Sequence, residues 1–197
     1  MTENQPKQVK SISQLPRIRL QTRDLGLRRN GNWLFQNLEL NISGGNFVAV
    51  LGPSGVGKSS LLSCLCGSEK PTEGTVNFKI DNEEERDPES ISPHLGVIFQ
   101  NLRLTAHATV LDNVLYGRLG KYKLKETLWG FSQKSRQEAY TILEDLGIPH
   151  LAYKWMTQTS GGEQQRTAIA RTLFHDPKII LADEPVSNLD TYYAGRI

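Results

Sequence analysis

Cysteine is nearly absent from this chain: 197 residues carry two, Cys64 and Cys66, two positions apart within an apolar run. Such a pair supplies neither the disulfide framework of a secreted domain nor a zinc-ligand set, and a reducing cytosol is the expected setting. Long hydrophobic runs are missing as well. No stretch of about 18 apolar residues occurs, and the opening MTENQPKQVKSISQLP lacks the apolar centre of a signal peptide, so membrane association is expected only through a partner. There is no excess of one charge. Lys plus Arg number 23 and Asp plus Glu 21, a formal charge of +2 that makes no electrostatic case for nucleic acid. What remains, with 38% hydrophobic and 22% charged residues, is an ordinary globular composition on a chain long enough for one well-buried core.

The order of patterns predicts an α/β fold. Residues 1–16 are polar and end at Pro16, as expected of a flexible tail, and residues 17–197 are expected to form a single domain. Residues 17–27 and 34–42 are β-rich, with Leu38, Leu40 and Ile42 alternating with polar neighbours as in one half-buried strand. Gly44-Gly45 marks a turn. The continuous apolar run FVAVL at 47–51 predicts a strand buried on both faces of a parallel sheet. A helix is expected at 58–66, a strand at 74–80, a solvated acidic loop at 81–90 and a strand at 95–99. Residues 110–146 read as helical, and a helix at 162–174 precedes an apolar strand at 179–182. Strands on either side of a helical middle predict a sheet core with an inserted helical subdomain.

Gly52-Pro53-Ser54-Gly55-Val56-Gly57-Lys58-Ser59 satisfies the pattern G-x-x-x-x-G-K-[ST] between an expected strand and an expected helix, the context that a phosphate-binding loop requires. Glycines let backbone N–H groups converge on phosphate oxygens, and the helix N-terminus adds partial positive charge. Lys58 is placed to reach the β- and γ-phosphates, Ser59 to ligate Mg²⁺, and Ser60 stands beside it in the first helical turn. The loop by itself does not separate kinase, GTPase and transporter. The strand at 179–182 runs into two adjacent carboxylates, Asp183 and Glu184. Asp183 is the candidate on the metal side, and Glu184 could take a proton from an attacking water.

Thr159-Ser160-Gly161-Gly162-Glu163-Gln164-Gln165-Arg166 bears two readings. Ser160-x-x-Glu163 is a capping box that opens a helix. The segment also resembles the LSGGQ signature of ABC (ATP-binding cassette) ATPases, with Thr159 in place of the usual Leu and Glu163 in place of the usual Gln. Its two glycines and its place just upstream of the apolar strand favour the signature. Gln100, Pro185 and Ser187-Asn188-Leu189-Asp190 follow the same family order, as Q-loop, the proline after the acids and D-loop.

The resemblance implies the P-loop ABC nucleotide-binding fold: a RecA-like sheet core at 17–100 and 178–197, with an N-terminal antiparallel β part, and a helical subdomain at 101–177 that carries the signature. It implies ATP and Mg²⁺ as cofactors. Gly52 to Ser60 would bind nucleotide, Ser160, Gly161 and Gly162 would meet a γ-phosphate, and Ser59, Gln100 and Asp183 would lie on the metal side. Lys58, Gln100 and Glu184 would carry the hydrolysis. It also implies a head-to-tail dimer, transmembrane permease subunits, a periplasmic binding protein reached through the complex, and a place on the cytoplasmic face of the inner membrane.

Two features depart from that family. Where an aromatic ring usually stacks on adenine, the sequence has Arg29, whose guanidinium plane can also stack on a base; Trp33 and Phe35 nearby read as sheet or core residues. The sequence ends at Ile197, seven residues past Asp190, without the family's switch histidine or its last strands and helix, and weak hydrolysis and marginal stability are therefore expected. Within the family, VLDNVLYGRLG at 110–120, TLWGF at 127–131 and LADEPVSNLD at 181–190 resemble importer ATPases for phosphonates, phosphite and related oxyanions. An ATPase for another cargo, of the lipoprotein-release or exporter type, and a catalytically silent ATP-binding module are the competing readings.

Overall fold

Ile18 and Leu20 alternate with Arg19 and Gln21 at the start of the first strand, which creates one face that must be covered and one that stays in water. The computed structural model describes residues 17–81, 84–121 and 130–184. The chain divides into two compact units, 1–90 and 91–197.

In the first unit the long strand β1 (Ile18–Arg29) pairs antiparallel with β2 (Asn32–Leu38), β3 (Asn41–Ser43) and β4 (Glu73–Ile80). Asn30-Gly31, with φ of 51° and 80°, closes the β1–β2 hairpin in the mirror-image turn that matches strand twist. The single strand expected over 34–42 is two strands. The Thr22 hydroxyl explains the break: it donates to the Leu38 carbonyl at 2.7 Å and accepts the Leu40 N–H at 2.8 Å, filling the gap between β2 and β3. Leu20, Phe78 and Ile80 lie on the buried face, whereas Arg19 and Lys79, paired across β1 and β4, are exposed. At Gly74 a side chain could not fit, since a Cβ would lie 2.3 Å from the carbonyl oxygens of Arg23 and Asp24.

Helix α1 (Lys58–Leu65) buries Leu61, Cys64 and Leu65. Burial pushes the Cys64 thiol up to about 11, which keeps it a neutral packing group. The acidic segment is not simply the solvated loop that its composition predicts. Arg86 and Phe78 exchange two backbone hydrogen bonds of 2.8 Å, and Glu85 meets Arg23 at 3.2 Å, so backbone pairing ties part of the segment to β4. A short helix α2 (Pro88–Ile91) follows.

The strand expected at 47–51 is overturned. These residues take no strand conformation and pair with no strand among the described residues; Phe47 is 96% exposed and Leu51 88%. Hydrophobicity identifies a segment that would gain from burial, but burial in a sheet also needs flanking strands to receive its N–H and C=O groups. Here β3 ends at Ser43, a turn at 44–45 follows, and no described strand runs alongside the next residues.

The second unit combines a parallel pair, β5 (Leu95–Ile98) and β6 (Ile179–Ala182), with helices α3 (Val110–Leu115), α4 (Gln133–Asp145) and α5 (Gly161–Phe174). The helical run expected from 110 is interrupted: α3 passes into a 3₁₀ segment at Tyr116–Lys121. There Gly117 packs against the main chain of α5, where a Cβ would be 2.3 Å from the Arg171 carbonyl oxygen. Arg118 donates to the Phe174 carbonyl and Lys121 to that of His175. Two cations thus satisfy carbonyls at the negative end of the helix dipole. Leu115, Leu143, Ile148 and Phe174 are fully buried in the core that these helices share. One polar residue is buried near them. Asn113 accepts the Thr105 N–H at 2.8 Å and donates to the carbonyls of Thr105 and Thr109 at 3.1 and 3.0 Å, so it is satisfied. Replacing Phe174 by Ala is expected to cost about 3–5 kcal/mol in a urea unfolding titration, against less than about 0.5 kcal/mol for Tyr153→Ala on the surface.

Candidate nucleotide site

The loop expected to bind phosphate contains two glycines in conformations that side chains resist: φ is 81° at Gly55 and 105° at Gly57. Gly57 is the N-cap of α1, and neither a side-chain cap nor an acidic residue occupies the first turn. The backbone N–H groups of Gly55, Val56, Gly57 and Lys58 belong to the stretch that leads into α1. A helix start without a side-chain cap, behind a glycine-rich turn, fits an anion such as a nucleotide's phosphates. Lys58 turns back over the loop and donates from Nζ to the carbonyls of Gly52 and Pro53, at 2.8 and 2.9 Å. Its ammonium thereby stands on the loop itself. Ser54, Ser59 and Ser60 belong to the same stretch, and the Ser59 carbonyl accepts from the Ser63 hydroxyl at 2.9 Å.

The second unit assembles a different group of the expected residues. Parallel pairing aligns Ile98 with Ala182, and the Asp183 N–H continues the ladder to the Ile98 carbonyl at 2.9 Å. Gln100 lies two residues past the end of β5, and Asp183 and Glu184 directly follow β6. All three stand at the carboxyl edge of one parallel pair, where open α/β sheets hold their ligands. Glu184 has a φ of 49°, uncommon for a residue with a side chain. Its carbonyl accepts from Gln165 Nε2 at 3.2 Å. Gln165, 2% exposed on α5, is a residue that sequence reasoning does not single out, because a lone glutamine in a helix carries no signal.

Helix α5 begins at Gly161, one residue earlier than expected, with Ser160 as its N-cap. The capping-box reading holds: the Glu163 carboxylate accepts the Ser160 N–H at 2.7 Å, and the Ser160 hydroxyl accepts the Glu163 N–H at 3.4 Å. That cap leaves Gly161 with open space where a Cβ would be. Thr159, in the place of the usual Leu, donates from its hydroxyl to the Met156 carbonyl at 2.6 Å.

Arg29 is committed locally. Its Nη2 contacts both carboxylate oxygens of Glu69, at 2.7 and 2.8 Å. Trp33 lies on β2 beneath the Arg28 guanidinium, 5.7 Å from the ring centroid, and Phe35 is half-buried on the same strand, in keeping with sheet residues. Pro185, the expected D-loop at 187–190 and Trp129 lie outside the described residues. The loop with Lys58 and the edge with Gln100, Asp183 and Glu184 belong to different units.

The pattern of the family described as ABC transporter matches residues 35–187. The chain belongs to the ABC transporter family. The phosphonates import ATP-binding protein PhnC 2 of Oceanobacillus iheyensis is 39% identical over 176 residues, covering 87% of this ABC chain and 69% of that protein. A PhnC of Anaeromyxobacter dehalogenans is 41% identical over 164 residues, which are 81% of this chain and 33% of its own length. The PhnC of Lactobacillus johnsonii is 38% identical, over 85% and 68% of the two chains. Among solved structures, the dimeric bacterial ABC transporter cassette MJ0796 superposes with a TM-score of 0.77 at 31% identity, covering 90% of this chain and 79% of that one. A post-hydrolysis state of MJ0796 bound to ADP and Pi matches at 0.76 and 32%. The fold is that of an ABC ATPase cassette.

The cap of α5 carries a pH dependence. Its backbone hydrogen bond from Ser160 holds the Glu163 carboxyl below the usual range, outweighing partial burial. A lowered folded pKa means stability present above the ordinary glutamate value, about 4.3, and lost as pH falls through the folded value. Glu163→Gln should flatten this acid loss at the start of α5, as followed by amide exchange between about pH 3 and 6. Ser160→Ala should cost about 1 kcal/mol of stability at neutral pH.

Proposed function

We propose that this chain is the ATP-binding and ATP-hydrolysing subunit of an importer for phosphonate-type anions. One observation carries the reading: the capped Ser160-Gly161-Gly162 start of α5 stands in the same unit as a parallel pair ending in Gln100, Asp183 and Glu184. The cargo class is supported by the names of the relatives and by the 110–120 and 181–190 segments.

In this reading Lys58 and the loop N–H groups bind the β- and γ-phosphates, and the lysine leaves its two carbonyl partners for phosphate oxygens. Glu184 accepts a proton from the attacking water, or polarises it, as the bond to the γ-phosphate breaks. Gln100 orients that water. Mg²⁺, when bound, supplies charge neutralisation at the phosphates, and Ser59, Gln100 and Asp183 would hold it. Ser160, Gly161 and Gly162 would meet the γ-phosphate of a nucleotide held by a second copy, so that two cassettes close head to tail around ATP. Permease subunits would hold the pair on the cytoplasmic face of the inner membrane, with a periplasmic binding protein delivering the cargo. No helix among the described residues is long and apolar enough to cross a membrane.

A second reading, an ATP-binding module without turnover, is motivated by Arg29, which pairs with Glu69 at 2.7 Å and stands where the family usually has an aromatic ring. Steady-state hydrolysis with Mg²⁺ separates the two. Glu184→Gln should reduce turnover by about 10²–10⁴-fold while ATP binding persists, and Lys58→Ala should weaken binding itself. Absence of turnover in the parent protein, with ATP bound, would select the silent module.

A further inference from the structure

The loop that leaves β5 through Gln100 is held from an unexpected direction. Arg171, in the last turn of α5, donates from Nη1 to the Arg103 carbonyl at 2.8 Å and from Nη2 to the Leu102 carbonyl at 2.6 Å. One rigid guanidinium fork thus bridges two consecutive peptides 68 and 69 residues away in sequence. The loop is tightly folded at that point. Arg103 has a φ of 48°, and its own guanidinium lies 3.7 Å from the centroid of the Phe99 ring, closing the chain around Gln100. Beyond it, Asn113 fixes Thr105 through the amide and carbonyl contacts described above, so the loop is anchored downstream as well.

The same Arg171 also joins a third segment. Its carbonyl oxygen is the surface on which Gly117 packs, at a distance that excludes any side chain, and Arg118 and Lys121 cap the carbonyls of Phe174 and His175 one turn further on. Burial, with Arg103 close by, lowers the Arg171 pKa from its ordinary value, yet a guanidinium stays charged at neutral pH. A partly buried cation is costly unless its donors are used, and here two carbonyls accept from it.

We infer that Arg171 is a positioning residue: it fixes the Gln100 loop to the helix that the signature opens, so that the loop, α5 and the 116–121 segment move as one body. Any shift of α5 or of the 116–121 surface is then delivered to Gln100 without contact between Arg171 and nucleotide. The mechanical part stands on geometry alone. Its consequence for hydrolysis rests on the proposed role of Gln100.

The test uses the 197-residue protein with Arg171→Lys, which keeps charge but loses the fork, and Arg171→Met, which keeps the apolar stem. Hydrogen exchange should speed up about tenfold or more in peptides covering residues 99–109 of both variants, as when hydrogen bonds worth about a factor of ten are lost. Peptides covering 133–145 should be unchanged, which separates local release from general unfolding. Unchanged exchange at 99–109 in Arg171→Met overturns the inference, as does an equal rise throughout the second unit. A rate comparison then examines the consequence. Gln100→Ala and Arg171→Met should each lower kcat with KM for ATP within about twofold, and the double variant should be no slower than Gln100→Ala, because residues acting through one another are not additive. Multiplicative losses would refute transmission through Gln100. If Gln100→Ala leaves kcat unaltered, the proposed role of Gln100 fails, and the exchange result alone decides whether Arg171 holds the loop.

Discussion

Hydrogen bonding between two short parallel strands, β5 and β6, sets the position of the acidic edge and of everything arranged around it. Parallel strands have no hairpin to hold them together, and here the whole stretch 99–178, with α3, α4 and α5 in it, separates Ile98 from Ile179. The pairing persists across that separation because α5 packs beside β5 and because the ladder is continued at both ends. The Asp183 N–H finds the Ile98 carbonyl, and the Lys178 N–H finds that of His94. Where the strands stop, Gln100, Asp183 and Glu184 are left together at one edge.

Helix α5 is the second constraint. Its first turn carries the capped Ser160-Gly161-Gly162 segment, its Gln165 holds the Glu184 carbonyl, and its last turn receives Gly117, Arg118 and the loop after Gln100. A helix is stiff along its axis, so these points keep a fixed separation. The chemistry expected of the acidic edge and the recognition expected of the signature are therefore built on one element.

Much of the local structure is legible in the residues. The helix start behind the glycine-rich loop, the strands at 95–98 and 179–182 and the capping box can be read because each depends on neighbours a few positions away. The exceptions have physical reasons. For the run at 47–51 the only signal is hydrophobicity, which reports a preference for burial but not the presence of flanking strands. The strand expected over 34–42 is split by a hydroxyl from Thr22, a contact across 16 and 18 residues that no local pattern encodes. At Arg29, spacing from the glycine loop suggests a stacking role and carries no sign of the Glu69 carboxylate, 40 residues on, that its Nη2 meets.

The residues and their order settle which groups are available: a lysine behind a glycine loop, two carboxylates after an apolar strand, and a serine before paired glycines. Those depend on composition and short spacing, which the chain carries in any conformation. Only packing settles which of them meet, that Gln165 reaches Glu184, and that Arg171 reaches the loop after Gln100. Such contacts join residues 19 and 68 positions apart, and their geometry exists only once the fold has brought the backbones within the roughly 3 Å reach of a hydrogen bond.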